Sequence, residues 1–207
     1  MGLNLKTTTG KVIASLALVG TAAGVAGLGT YGAFTSSTSA SDTVASGTVA
    51  IALGATGTAN RLSVGASGLV PGDTVQRAVT LSNAAGNQNL SAITLTTAAT
   101  STSTKLDTDT TNGLQVAVDK CSTGWVEAGT SPAYTYTCAG TTTSVLAARP
   151  IVGANVALAG LTSVTAGQSD SLRVTMSLPA GADNTFQGLS DTIGFTFTGT
   201  QRTATNQ

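Results

Sequence analysis

The 207-residue sequence has no histidine, only two cysteines, four prolines and 9% charged residues, and each scarcity removes a class of chemistry. Without His there is no Ser-His-Asp or Cys-His nucleophile and no His-based zinc site such as HExxH. No Ser-Lys pair or carboxylate pair stands at a recognisable spacing. The chain therefore reads as a non-enzyme with no catalytic residue, no cofactor and no metal site. The stretch Asp107-Thr-Asp109-Thr-Thr-Asn112-Gly113 resembles the opening of an oxygen-ligand calcium loop, but the closing bidentate Glu is missing and an acidic surface turn is preferred. Asn89-Leu-Ser91 fits a glycosylation sequon that short sequences meet by chance. Nine basic and nine acidic residues leave no electrostatic footprint for nucleic acid or anionic lipid.

What is present begins with an export signal. Lys6 and Lys11 form a positive n-region, Val12 to Leu28 is uncharged and rich in Ala, Val, Leu and Gly, and small residues lead to Gly32-Ala33 before Phe34. The apolar stretch is about 17 residues, the short limit for a bilayer span, and its glycines weaken it as a permanent helix. The alternative is an uncleaved anchor. Cleavage is expected between Ala33 and Phe34, so membrane contact would be transient. Tyr31 is large for the usual small-x-small rule, which a cut after Ala40 would satisfy better. Of nine basic residues, Lys6 and Lys11 leave with the signal, so seven remain against nine acids, a net charge of −2.

Residues 34–47 form a Ser/Thr/Ala-rich arm without apolar periodicity, and 48–207 form one domain large enough for a real core. Strict alternation recurs through that domain and predicts strands. Val49, Ile51 and Leu53 share one face; Val75, Val79 and Leu81 follow the Pro71-Gly72-Asp73 turn. Leu90 to Thr96 and Leu114, Val116 and Val118 continue the pattern, the latter running into Cys121. Tyr134, Tyr136 and Cys138 are expected to form its partner strand. Leu172, Val174, Met176 and Leu178 alternate most clearly, then Ile193, Phe195 and Phe197. Thr96 to Thr111 is expected to be a solvated loop. Helical periodicity is absent after the signal, so the fold class is an all-β, antiparallel β-sandwich of jelly-roll type.

In an exported chain the even cysteine count and hairpin-like spacing predict a Cys121–Cys138 disulfide between neighbouring strands, two unpaired buried thiols being the alternative. Trp125, Tyr134 and Tyr136 are expected to pack beside it. After Leu178, Pro179 must end its strand because it cannot donate to a ladder. The turn that follows holds Asn184 and Gln187 as backbone caps, Phe186 as a core plug and Gly188 for backbone relief.

That corner, with Phe195, Phe197 and Gln201 after it, resembles the TasA/camelysin family, whose members carry Leu-Pro…Asn-x-Phe/Tyr-Gln-Gly and then a strand ending in Gln. The matches are Leu178, Pro179, Asn184, Phe186, Gln187, Gly188, Phe195, Phe197 and Gln201, and Thr30-Tyr31-Gly32-Ala33-Phe34 is similar to the family's processing site. The resemblance implies a dedicated SipW-type signal peptidase as a partner and a jelly-roll sandwich. For fibre-forming members it implies secreted filaments of the biofilm matrix, in which the arm is donated as a strand to the next copy. Here that arm would run from Phe34 to Leu53, anchored by Phe34, Val44, Val49 and Ile51, and the product would be a head-to-tail homopolymer. A monomeric secreted adhesion or binding domain is the alternative. The camelysin branch also carries a metalloprotease label, which a chain without His does not support.

Overall fold

The computed structural model describes residues 52–53 and 64–203, all within one compact unit, Gly47–Gln207. The signal, the arm, and with them Ala33, Phe34, Val44, Val49 and Ile51 lie outside the described residues. In chain order the strands are β1 (Ala52–Leu53), β2 (Val64–Ser67), β3 (Thr74–Ser82), β4 (Leu90–Ala99), β5 (Gln115–Cys121) and β6 (Trp125–Thr130). There follow β7 (Ala133–Cys138), β8 (Thr142–Pro150), β9 (Gly153–Ala157), β10 (Ser169–Ser177) and β11 (Ser190–Gln201). A single helical turn, α1 (Lys105–Thr108), lies between β4 and β5.

A five-stranded sheet has the order β1-β3-β10-β5-β8 and a four-stranded sheet the order β2-β11-β4-β9, every pairing being antiparallel. Set aside β1 and the β6-β7 pair. The remaining eight strands then fall as first-eighth-third-sixth in one sheet and second-seventh-fourth-fifth in the other. That is the wrapped, doubled Greek key of a jelly roll. Two additions decorate it: β1 on the outer edge of β3, and a separate β6-β7 hairpin in the β5-to-β8 connection.

The alternation read from the sequence is what buries the core. Leu172 faces Val79, and Met176 lies between Val75 and Val116, with Val118 beside Val174. From the other sheet come Ile93, Leu95 and Ile193. Leu81, Ile93, Leu95, Leu114, Ile151, Leu172, Met176 and Leu178 are each less than 2% exposed. A fully buried side chain of this kind contributes about 1.5–3 kcal/mol, so this layer dominates the fold's stability.

Several expectations change. β4 extends to Ala99 and α1 follows, so Thr96 to Thr111 is not simply a loop. The turn forms because Thr104 accepts from the backbone N–H of Leu106 while the Asp107 carboxylate takes the N–H of Thr104 at 2.6 Å, a capping box. The partner of β7 is β6, whereas β5 lies between β10 and β8. The Cys121–Cys138 disulfide, Cα–Cα 5.6 Å, therefore ties the end of a sheet strand to an added hairpin rather than two paired strands.

Candidate assembly surfaces

The two poles of the sandwich differ in chemistry. At one pole β3 begins at Thr74, β10 ends at Ser177, and the chain turns through the corner carrying the Leu-Pro…Asn-x-Phe-Gln-Gly residues. Leu178 is 1% exposed and is clamped by backbone bonds to the 71–73 turn: Gly72 N–H donates to Leu178 O at 2.8 Å, and Leu178 N–H to Asp73 O at 3.0 Å. Ala182 N–H closes a turn on Pro179 O at 3.0 Å. A 3-10 turn then spans Asn184–Phe186 and drives the Phe186 ring to 4% exposure. Its N-cap is Asp183, which accepts from Thr185 N–H at 2.9 Å, and Gln187 is its C-cap, the Gln187 backbone N–H donating to Asn184 O at 3.2 Å; the side chains of Asn184 and Gln187 are exposed. Gly188 has φ +73°, a conformation that a residue with a Cβ adopts only at a cost.

Between this corner and the 69–71 segment lies a concave pocket of about 180 Å³. Its apolar wall is Leu69, Val70, Pro71, Leu178 and Phe186; Asp183, Asn184 and Gln187 complete its polar rim. Val70 is 59% exposed at the edge of this pocket. Lys105 lies beside the rim, 4.3 Å from the Phe186 ring centroid, 3.6 Å from Asp183 and 4.0 Å from Asp109. Hydrogen bonds from Thr185, side chain and backbone, hold the Asp183 carboxyl below its ordinary pKa. For Asp109 the bonds from Asn112 and Thr111 N–H do the same. Asp107 is pushed up by burial, but Ser103 and Thr104 outweigh this and leave its pKa lowered. The calcium-like segment thus spends its carboxylates on capping and turn bonds.

The opposite pole holds the Ser82 end of β3, where β1 pairs Ala52 with Ser82 and Leu53 with Leu81. Antiparallel pairing makes the chain enter β1 from that end. A second pocket, about 250 Å³ and polar, opens here, with Lys120, Ser122, Thr141, Thr162 and Asp170 among its lining residues. Asp170 is 5% exposed, accepts from Ser163 N–H at 2.7 Å and Thr162 Oγ1 at 2.8 Å, and lies 3.8 Å from Lys120 Nζ.

The β6-β7 hairpin packs on the outer face of the five-stranded sheet. Trp125 Nε1 donates to Ser171 O at 3.0 Å, and the Tyr136 N–H to Gln76 Oε1 at 3.0 Å. Arg77 Nη2 reaches Pro132 O at 3.2 Å. Of the aromatics expected beside the disulfide, Trp125 pairs with Cys138 across the hairpin, Tyr134 lies under Arg77 at 5.4 Å, and Tyr136 is 3% exposed. On β11, Phe195 and Phe197 are half-buried against the core, while Gln201 ends the strand on the surface opposite Leu90.

Fold and corner together define a jelly-roll protein built around the Leu-Pro…Asn-x-Phe-Gln-Gly turn. The family model described as camelysin metallo-endopeptidase matches residues 4–206, and the chain belongs to this family, the TasA/camelysin proteins. Members are extracellular or cell-surface proteins. No curated protein and no solved structure matches. The family description implies a metal, yet the donor set does not fit one. The sequence has no His, both cysteines are in the disulfide, and among the described residues no three Cys, Asp or Glu side chains gather to hold an ion.

Proposed function

We propose that this protein is exported and serves as a structural subunit of extracellular filaments or of a biofilm matrix, each copy lending its N-terminal arm to the next. The observation that carries the proposal is the way the chain enters the sandwich. β1, a two-residue strand, pairs with β3 on the outer edge of the five-stranded sheet, at the pole opposite the Pro71–Gly188 corner. An arm leaving there meets a neighbour stacked in the same orientation. Strand addition supplies main-chain hydrogen bonds for affinity and alternate side chains for register, and a head-to-tail contact of this kind does not close. Phe34, Val44, Val49 and Ile51 are the apolar side chains the arm would offer. Cleavage between Ala33 and Phe34 by a SipW-type signal peptidase would free it.

The test is direct. Protein beginning at Phe34 should form filaments visible by electron microscopy above a threshold concentration, and removing 34–46 should abolish them. A preparation that stays monomeric at high concentration, with the deletion changing nothing, overturns the proposal. The family description favours a second reading, a metal-dependent peptidase. It is tested on the same pure protein by peptide cleavage that a chelator stops and added zinc restores.

A further inference from the structure

We infer that the pocket between the 69–71 segment and the Phe186 corner is a socket for the processed N-terminus of a second copy of this chain. It takes the Phe34 ring and the α-ammonium group attached to it. This rests on the assembly proposed above and assigns the contact that ends each donated arm.

Four features of the socket point to that occupant. Its wall is apolar and already contains an aromatic ring, with Phe186 and Leu178 as the floor and Val70 left 59% exposed on the lip. At about 180 Å³ it accommodates one phenyl side chain and not a folded element. Phe34 is the one aromatic residue of the arm 34–47. An aromatic side chain gives the largest burial per residue that a Ser- and Ala-rich segment can offer.

Charge agrees as well. Asp183 is the charged residue on the rim, and Lys105 beside it is shared with Asp109, so these three groups together carry one negative charge in excess. Hydrogen bonds keep both acids ionised. A free α-ammonium group, which only a cleaved chain presents at Phe34, supplies the missing positive charge. The uncleaved precursor would present a neutral amide there and continue into a signal too large for the pocket.

Placement completes the argument. The chain enters β1 at the Ser82 end of β3, and the socket lies at the Thr74 end. The nine residues of β3 separate the two by about 27 Å at about 3.3 Å per residue. Subunits stacked head to tail bring the exit point of one next to the socket of the other. The residues from Phe34 to Ile51 extend to at most about 60 Å, enough to cross the neighbour's sheet edge and end in the pocket.

The experiment uses full-length chains beginning at Phe34: the unaltered protein, Phe34→Ala, and two socket variants, Val70→Asp and Asn184→Trp. Both socket positions are exposed, and circular dichroism with thermal melting verifies that each variant folds. Light scattering and electron microscopy should show the filament threshold raised at least tenfold in all three variants. Mixing Phe34→Ala with Val70→Asp between the unaltered and variant thresholds should give a 1:1 heterodimer by analytical ultracentrifugation, because one partner keeps a working socket and the other a working arm. Thresholds unchanged in the variants, with the unaltered protein still forming filaments, overturn the socket and leave filament formation standing. An unaltered protein that never assembles overturns both.

Discussion

Arg173 lies over Trp125, its guanidinium carbon 4.3 Å from the ring centroid, while its Nη2 donates to Asp119 at 2.7 Å. Asp119 is on β5, Arg173 on β10 and Trp125 on the added hairpin, so one side chain joins two sheet strands to the hairpin that covers them. Its Nη1 adds a bond to Tyr136 O at 3.2 Å. The planar fork makes this arrangement specific to arginine.

Trp125→Ala should therefore release the hairpin. The ring is half-buried and its N–H is bonded, so the cost is about 2 kcal/mol, below the fully buried range. For a domain of this size that lowers Tm by roughly 4–8 °C, read by circular dichroism. Hydrogen exchange should rise in 125–138 before it rises in β10. Equal loss of protection in both segments would show the hairpin to be part of the cooperative core.

Replacing both Cys121 and Cys138 by Ser opens a loop of sequence separation 17, worth about 3 kcal/mol in the chain-entropy account. The loss should appear in the urea midpoint of the purified oxidised protein against the double variant. Because the bond anchors an added hairpin, the jelly-roll sheets should persist, with far-ultraviolet spectra unchanged. A variant that fails to fold at room temperature would contradict that division.

How far the fold was visible in the sequence depended on burial of one strand face. In β10, Leu172, Val174 and Met176 all point into the core, and Leu178 just after the strand is buried as well, so a period of two is printed in the residues. In β8, Val145 and Leu146 are adjacent, and the pairing with β5 shifts register twice, which scrambles the period. β9 offers Val156 as its one large apolar residue, and β2 is Val-Gly-Ala-Ser; both strands sit at sheet edges. The separation of β7 from β5 could not be read at all, because a cysteine spacing does not say which strand intervenes. The α1 turn, by contrast, had a signal in Thr104 and Asp107, three residues apart as a capping box requires. At the corner, composition identified Phe186 as a plug. The pocket beside it depends on the 69–71 segment folding back against Leu178, a long-range contact that no local pattern carries.

Phe186→Ala should cost about 3 kcal/mol, since the ring is 4% exposed and the corner can only partly collapse into the space. Gly188→Ala should cost about 1 kcal/mol for a different reason, the φ of +73°, and nothing lies within 4 Å of the added Cβ. Urea titration of the two separates packing from backbone strain. If Gly188→Ala is neutral, the positive φ is relaxed easily.

Acid should unfold the protein in part through Asp170. Burial pushes its pKa up, but hydrogen bonds from Ser163 and Thr162 outweigh this and leave it lowered. A folded pKa below the unfolded value means that the unfolded chain binds more protons near that pH. Stability is then complete above about pH 5 and falls as the pH drops from about 4 towards the folded value. Asp170→Asn should flatten that limb and cost about 1–3 kcal/mol at pH 7, as expected for a disrupted buried acceptor. Urea midpoints at pH 7, 5, 4 and 3 measure both effects, and parallel curves for the two proteins would remove Asp170 from the acid transition.

The alkaline limb belongs to Tyr136. Burial, then the hydrogen bond from its O–H to Glu127 at 2.7 Å and the charge of that carboxylate, push its pKa up to about 12. The fold thus keeps the phenol neutral where the unfolded chain, with a pKa near 10, has lost its proton. Native protein binds more protons than unfolded protein between about pH 10 and 12, so stability must fall with rising pH across that window. Tyr136→Phe retains the buried ring, cannot ionise and leaves Glu127 without this donor. It should lower stability at pH 7 by about 1 kcal/mol, the worth of one such bond, and remove most of the decline above pH 10. Thermal melts of the two proteins at pH 8, 10 and 11 read this out. If the variant declines as steeply as the parent, another group sets the alkaline limit and the phenol is not the residue that fails first.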